Sequence, residues 1–107
     1  FLNLKKGSYS TSFQSRVSIL GKWLKPYTDK TVEKFAKSGV KELAIATPAF
    51  VSDCLETLEE IGMEAAEDFE DNGGKKLHVI PCINDREEWV NVLSRWIDEW
   101  AHLKVEK

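Results

Sequence analysis

The stretch TPAFVSDCLETLEEIGMEAAEDFED, Thr47 to Asp71, decides the fold. Before it, Leu43 to Ala46 form a short apolar run that suits a buried strand, and Pro48 ends that strand. Ser52 or Asp53 can then cap a long helix in which Leu55, Leu58, Ile61 or Gly62, Ala65 and Phe69 face inward. Acids occupy the opposite side, and Asn72, Gly73 and Gly74 stop the helix.

On the amino-terminal side, Tyr9 to Gln14 has the residue types of a first strand. Gly21 and Pro26 break any periodicity in Ser15 to Tyr27, which reads as a loop leaving that strand end. Thr28 is a candidate N-cap for a helix over Asp29 to Lys37, with Val32, Phe35 and Ala36 as its buried stripe and Gly39 at its end. On the carboxyl-terminal side, Leu77 to Pro81 reads as a third strand. Asn84 or Asp85 can cap a last helix whose Trp89, Leu93, Trp96, Trp100 and Leu103 recur at helical spacing, with core packing as their default role. Strand and helix alternate three times, which implies a parallel sheet layered by helices. Ligands of such sheets bind at the carboxyl ends of the strands, so Gln14 to Lys25, Pro48 to Glu56 and Cys82 to Asp85 form the candidate rim.

The totals narrow the function. A chain of 107 residues with 31% charged residues and a formal charge of −3 is one globular domain, and its spread-out charge argues against nucleic acid as a partner. No apolar run approaches the roughly 18 to 20 residues that span a bilayer, and no signal core follows a charged start. The domain reads as cytoplasmic, with peripheral membrane contact left open. Cys54 and Cys82 are too few for a disulfide framework, a zinc site or an iron–sulfur cluster. Cys54, one turn into the helix, is by default a small packing residue, and His78 and His102 are by default structural or exposed. The chain starts at Phe1, not Met, which reads as a processed product or the tail of a longer protein.

Glu56, Glu60 and Glu64 carry the most specific chemistry. Their spacing of four residues places them on one side of a helix at intervals of roughly 6 Å, with a drift of about 40° per step. A π-type turn would counter that drift and align the carboxylates. Such a file could pass a divalent cation between oxygen ligands without trapping it. The plain alternative is the solvated face of an amphipathic helix.

Three blocks weigh against that alternative: QSRVSILGKWLKPYTD (Gln14 to Asp29), AFVSDCLETLEEI (Ala49 to Ile61) and IPCIND (Ile80 to Asp85). In order and spacing the sequence resembles the carboxyl-terminal half of a bacterial-type ferrochelatase, the enzyme that inserts ferrous iron into a porphyrin. The resemblance implies a three-layer Rossmann-like, chelatase-like α/β fold, with residues 1–107 as the carboxyl-terminal domain of a two-domain enzyme whose first half is absent. It implies Glu56 as the catalytic carboxylate and Glu56, Glu60 and Glu64 as the metal path. Gln14, Ser15, Arg16, Trp23, Phe50 and Cys54 match the porphyrin cleft. Cys54 stands where many relatives have histidine, so it inherits no histidine role. The family's active-site histidine belongs to the first half, and neither His78 nor His102 matches its motif. The fragment alone is therefore expected to be inactive. Ferrous iron would be a substrate, and no organic cofactor is expected. The partners would be a porphyrin, ferrous iron and the amino-terminal half. Two alternatives stand beside this: a free-standing, non-catalytic porphyrin- or metal-binding module, and a chelatase for another metal or tetrapyrrole.

Overall fold

The structure, a computed structural model, describes residues 2–14 and 23–103. Its elements are α1 (Thr28–Lys37), β1 (Glu42–Ile45), a π-helix (Glu56–Glu64) continuing into α2 (Ala65–Asp71), β2 (Lys76–Val79) and α3 (Glu87–His102). β1 and β2 pair in parallel, with Leu43 opposite Leu77 and Ile45 opposite Val79. A short parallel sheet flanked by helices is the α/β arrangement the alternation implies.

The core forms where the amphipathic faces meet. Val32 and Ala36 of α1 pack with Ile61, Ala65 and Phe69 of the long helix and with Leu77 of β2. Leu43, Ile45 and Val79 close the cluster from the sheet. Strand alternation explains the choice, because residues two apart share a face. Glu42, Ala44 and Lys76 accordingly lie exposed on the other face, where half-exposed His78 meets Glu42 at 3.2 Å. The expected two-sided cover of β1 is thus one-sided in this chain.

Both core helices end in the same way. Gly39 adopts φ +94° and Gly73 φ +101°, the left-handed region in which a Cβ is strained. Val40 N donates to Phe35 O at 3.1 Å and Gly39 N to Ala36 O at 3.0 Å, while Gly74 N donates to Phe69 O at 2.8 Å and Gly73 N to Glu70 O at 3.0 Å. These paired bonds satisfy carbonyls that the last turn leaves open. Gly74 has a second constraint, because a Cβ there would lie 2.3 Å from the Phe69 ring.

Several expectations need correction. Tyr9 to Gln14 forms no strand among the described residues; only Phe13 bridges to Tyr27. Thr28 is the first residue of α1 and not its cap, and it is buried against Ser12, with the two hydroxyls 3.0 Å apart. Leu55 and Leu58 are 72% and 59% exposed, and the inward stripe instead runs Thr57, Ile61, Ala65, Phe69. In the wider turn of a π-helix a step of four residues comes close to one revolution, so that series stays on one side. Neither Asn84 nor Asp85 caps α3, whose N-cap is Arg86 without a side-chain bond. α3 buries no residue, so its tryptophans do not pack into the core of this chain. Trp89 and Trp96 meet edge to face at 5.9 Å and Trp96 lies 6.4 Å from Trp100, so they cluster mainly with one another.

Candidate functional site

The π-helix is the local event that builds the site. It spans Glu56–Glu64, the segment that carries all three regularly spaced glutamates. Its i→i+5 bonding turns each residue through a smaller angle than an α-helix does, which removes most of the drift expected at four-residue spacing. Glu56, Glu60 and Glu64 therefore line one wall of a cleft of about 650 Å³. Glu59 and Asp68 share that wall, and Phe13, Gln14, Tyr27, Thr28 and Asp29 form the other. Among the described residues no group of three or more His, Cys, Asp and Glu side chains is arranged to hold a metal ion. The acids thus form a row, not a cage.

Gln14 joins the two walls. Its Nε2 donates to Glu56 O at 3.0 Å and lies 3.3 Å from Glu60 Oε2. Trp23 Nε1 donates to Gln14 O at 3.2 Å, which places the indole beside the cleft without lining it. Cys54 is half-buried, not enclosed as a packing residue would be. The Cys54 thiol, followed by the backbone N–H of Glu56, holds the Glu56 carboxyl below the usual carboxylate range. At Glu56 these hydrogen-bond donors outweigh burial, which acts in the opposite direction. Phe50 is half-buried in the loop after β1, where its N–H donates to Thr47 O at 3.0 Å, and it does not line the cleft. Ser15 and Arg16 lie outside the described residues.

Sequence reasoning missed a polar lock beneath Glu56. Asp53 N donates to Asn84 Oδ1 at 2.8 Å, and Asn84 Nδ2 donates to Asp53 Oδ2 at 2.7 Å. Thr57, fully buried, donates from Oγ1 to Asp53 Oδ1 at 2.9 Å and accepts from Cys54 N at 3.0 Å. Asn84 foremost, then Cys82 and Thr57, hold the Asp53 carboxyl below its ordinary value. Both Asp53 and Asn84 carry a readable signal, since Asp and Asn are turn formers and each follows a strand. As cap candidates they were read separately; their pairing exists only in three dimensions.

Fold and cleft together define an α/β domain with an acidic file leading along a helix from the strand ends. Comparison with known proteins supplies the family. The ferrochelatase family model matches residues 1–101, and the chain belongs to the ferrochelatase family. It is 55% identical over 94 residues to a ferrochelatase of Rhizobium johnstonii, covering 88% of this chain and 27% of that protein. A ferrochelatase of Pseudomonas putida is 50% identical over 93 residues, covering 87% of this chain and 27% of that protein. One of Pseudomonas entomophila is 48% identical over 93 residues, with 87% and 27% covered. The chain thus spans 27% of the length of these curated relatives. No solved structure matches it.

Proposed function

We propose that residues 1–107 are the carboxyl-terminal chelatase-like domain of a ferrochelatase that inserts ferrous iron into a porphyrin, protoporphyrin IX or coproporphyrin, in heme biosynthesis. The observation that carries this is the π-helix, which sets Glu56, Glu60 and Glu64 in a row along one cleft wall. Insertion requires a metal stripped of water at the moment of transfer and the loss of two pyrrole protons. Carboxylates one turn apart exchange a hard or borderline cation readily, because none alone completes its shell. Glu64 and Glu60 form the approach, and Glu56 stands at the chemistry.

Glu56 is ionised at neutral pH, as an ordinary carboxylate is, and the Cys54 thiol strengthens that preference. That favours service as a transient iron ligand first and as proton acceptor second. By their match to the family's blocks, Gln14, Ser15, Arg16, Trp23, Phe50 and Cys54 are assigned to porphyrin binding, and of these Gln14 lines the cleft and ties its walls together. The remaining groups, including a histidine across the cleft, come from the amino-terminal half, so this segment alone does not catalyse. The enzyme is a lyase, needs no organic cofactor and works in the cytoplasm.

The test is Glu56→Gln in the complete enzyme, assayed for iron insertion and for porphyrin binding. Insertion is expected to be nearly abolished while the porphyrin still binds. Retention of most of the activity overturns the assignment.

A further inference from the structure

We infer that Asn84 is a positioning residue for Glu56: paired with Asp53, it fastens the loop after β2 to the loop before the π-helix and so sets where the Glu56 carboxylate stands in the cleft. The inference rests on the proposed role of Glu56.

Three bonds join Asn84 to the opposite loop. Besides the reciprocal pair with Asp53 at 2.8 and 2.7 Å, Asn84 N donates to Val51 O at 2.9 Å. Asn84 adopts φ +53°, a conformation that Asn tolerates better than most residues. Its second amide proton goes to Cys82 O at 3.2 Å, so both donors and the acceptor of the side chain are engaged. From Asp53 the lock passes to Thr57, whose hydroxyl also receives Cys54 N. Glu56 lies between Cys54 and Thr57, and its carbonyl is held from the far wall by Gln14. Loosening Asn84 therefore frees the turn that carries Glu56.

The geometry also dictates a rescue. Asn84→Asp sets two carboxylate oxygens against each other where a 2.7 Å bond stood. Asp53→Asn sets an NH2 group against either the Asn84 NH2 or the Cys82 N–H, because Asp53 accepts from both. The double swap Asp53→Asn with Asn84→Asp restores a donor facing an acceptor, keeps a single negative charge, and leaves residue 53 N bonded to an oxygen of residue 84. The longer bond to Cys82 O is lost, and a carboxylate oxygen then faces that carbonyl, so recovery stops short of the parent.

The experiment measures kcat and the KM for porphyrin in the complete enzyme, with ferrous iron and protoporphyrin IX, at matched folded fraction by circular dichroism. Each single variant is expected to lower kcat about tenfold to a hundredfold, the cost of a small displacement of a reacting group. The porphyrin KM should stay nearly constant, and the double swap should recover most of the kcat. Asn84→Gly, which keeps the left-handed turn without the amide, carries the test where a single variant does not fold; it too should lose kcat at constant KM. Singles, or Asn84→Gly, that melt earlier but keep wild-type kcat overturn the inference, as does a double swap no better than the singles. Glu56→Gln run in parallel separates the two claims: its inactivity beside an unaffected Asn84 series sinks only the positioning role, whereas its full activity sinks the reading of Glu56 itself.

Discussion

Replacing Thr57 by Val tests the polar lock with little change in shape. The residue is fully buried, and its hydroxyl donates to Asp53 Oδ1 at 2.9 Å while accepting from Cys54 N at 3.0 Å. Valine fills nearly the same volume but satisfies neither partner, and water cannot replace a hydroxyl at a fully covered site. A donor left without its partner costs about 1–3 kcal/mol, so about 2 kcal/mol is expected for opening the first turn of the π-helix. That corresponds to an opening equilibrium shifted about 30-fold. The assay is amide hydrogen exchange at Cys54 and Thr57 in the complete protein, where local opening is read residue by residue. Thr57→Ser keeps the hydroxyl and loses one methyl group, so its protection should fall far less. Equal protection in Thr57→Val and the parent, or an equal loss in the Ser and Val variants, would show that the Thr57 hydroxyl does not hold this turn.

Further outcomes follow from the same geometry. Gly74→Ala brings a Cβ to 2.3 Å from the fully buried Phe69 ring, an overpacking expected to cost about 1–3 kcal/mol and to lower the melting temperature. Phe69→Ala removes the largest buried side chain of the core, for about 3–5 kcal/mol by urea denaturation. Because the folded Asp53 carboxyl titrates below its ordinary value of 3.8, its contribution is complete well above that pH. It is lost as the pH falls below 3.8 through the lowered folded value, so exchange protection of the Cys54 amide should collapse in that acid window and persist there less in Asn84→Gly.

Much of this was legible because local periodicity and tertiary packing agree. Val32 and Ala36, and likewise Ile61, Ala65 and Phe69, face the core as their spacing implies. Gly39 and Gly73 mark the helix ends by the backbone they permit. The alignment of Glu56, Glu60 and Glu64 was readable as a condition, namely a π-type turn, that the structure then meets. What escaped the sequence depends on partners it cannot name. Leu55 and Leu58 carry core-like side chains yet lie exposed, and α3 has a tryptophan stripe but buries no residue, because periodicity shows that a face is apolar without showing what covers it. Asp53 and Asn84 read as two helix caps, since a cap and a loop-to-loop pair use the same residue types.

In the proposed function the row of glutamates divides its work between approach and chemistry. The most direct measurement is steady-state insertion of ferrous iron into protoporphyrin IX by the complete enzyme carrying Glu56→Gln, Glu60→Gln or Glu64→Gln, one at a time. Glu56→Gln is expected nearly to abolish kcat, while Glu60→Gln and Glu64→Gln chiefly raise the KM for iron. Equal, small effects at all three positions would contradict that division and return the helix to a solvated acidic face.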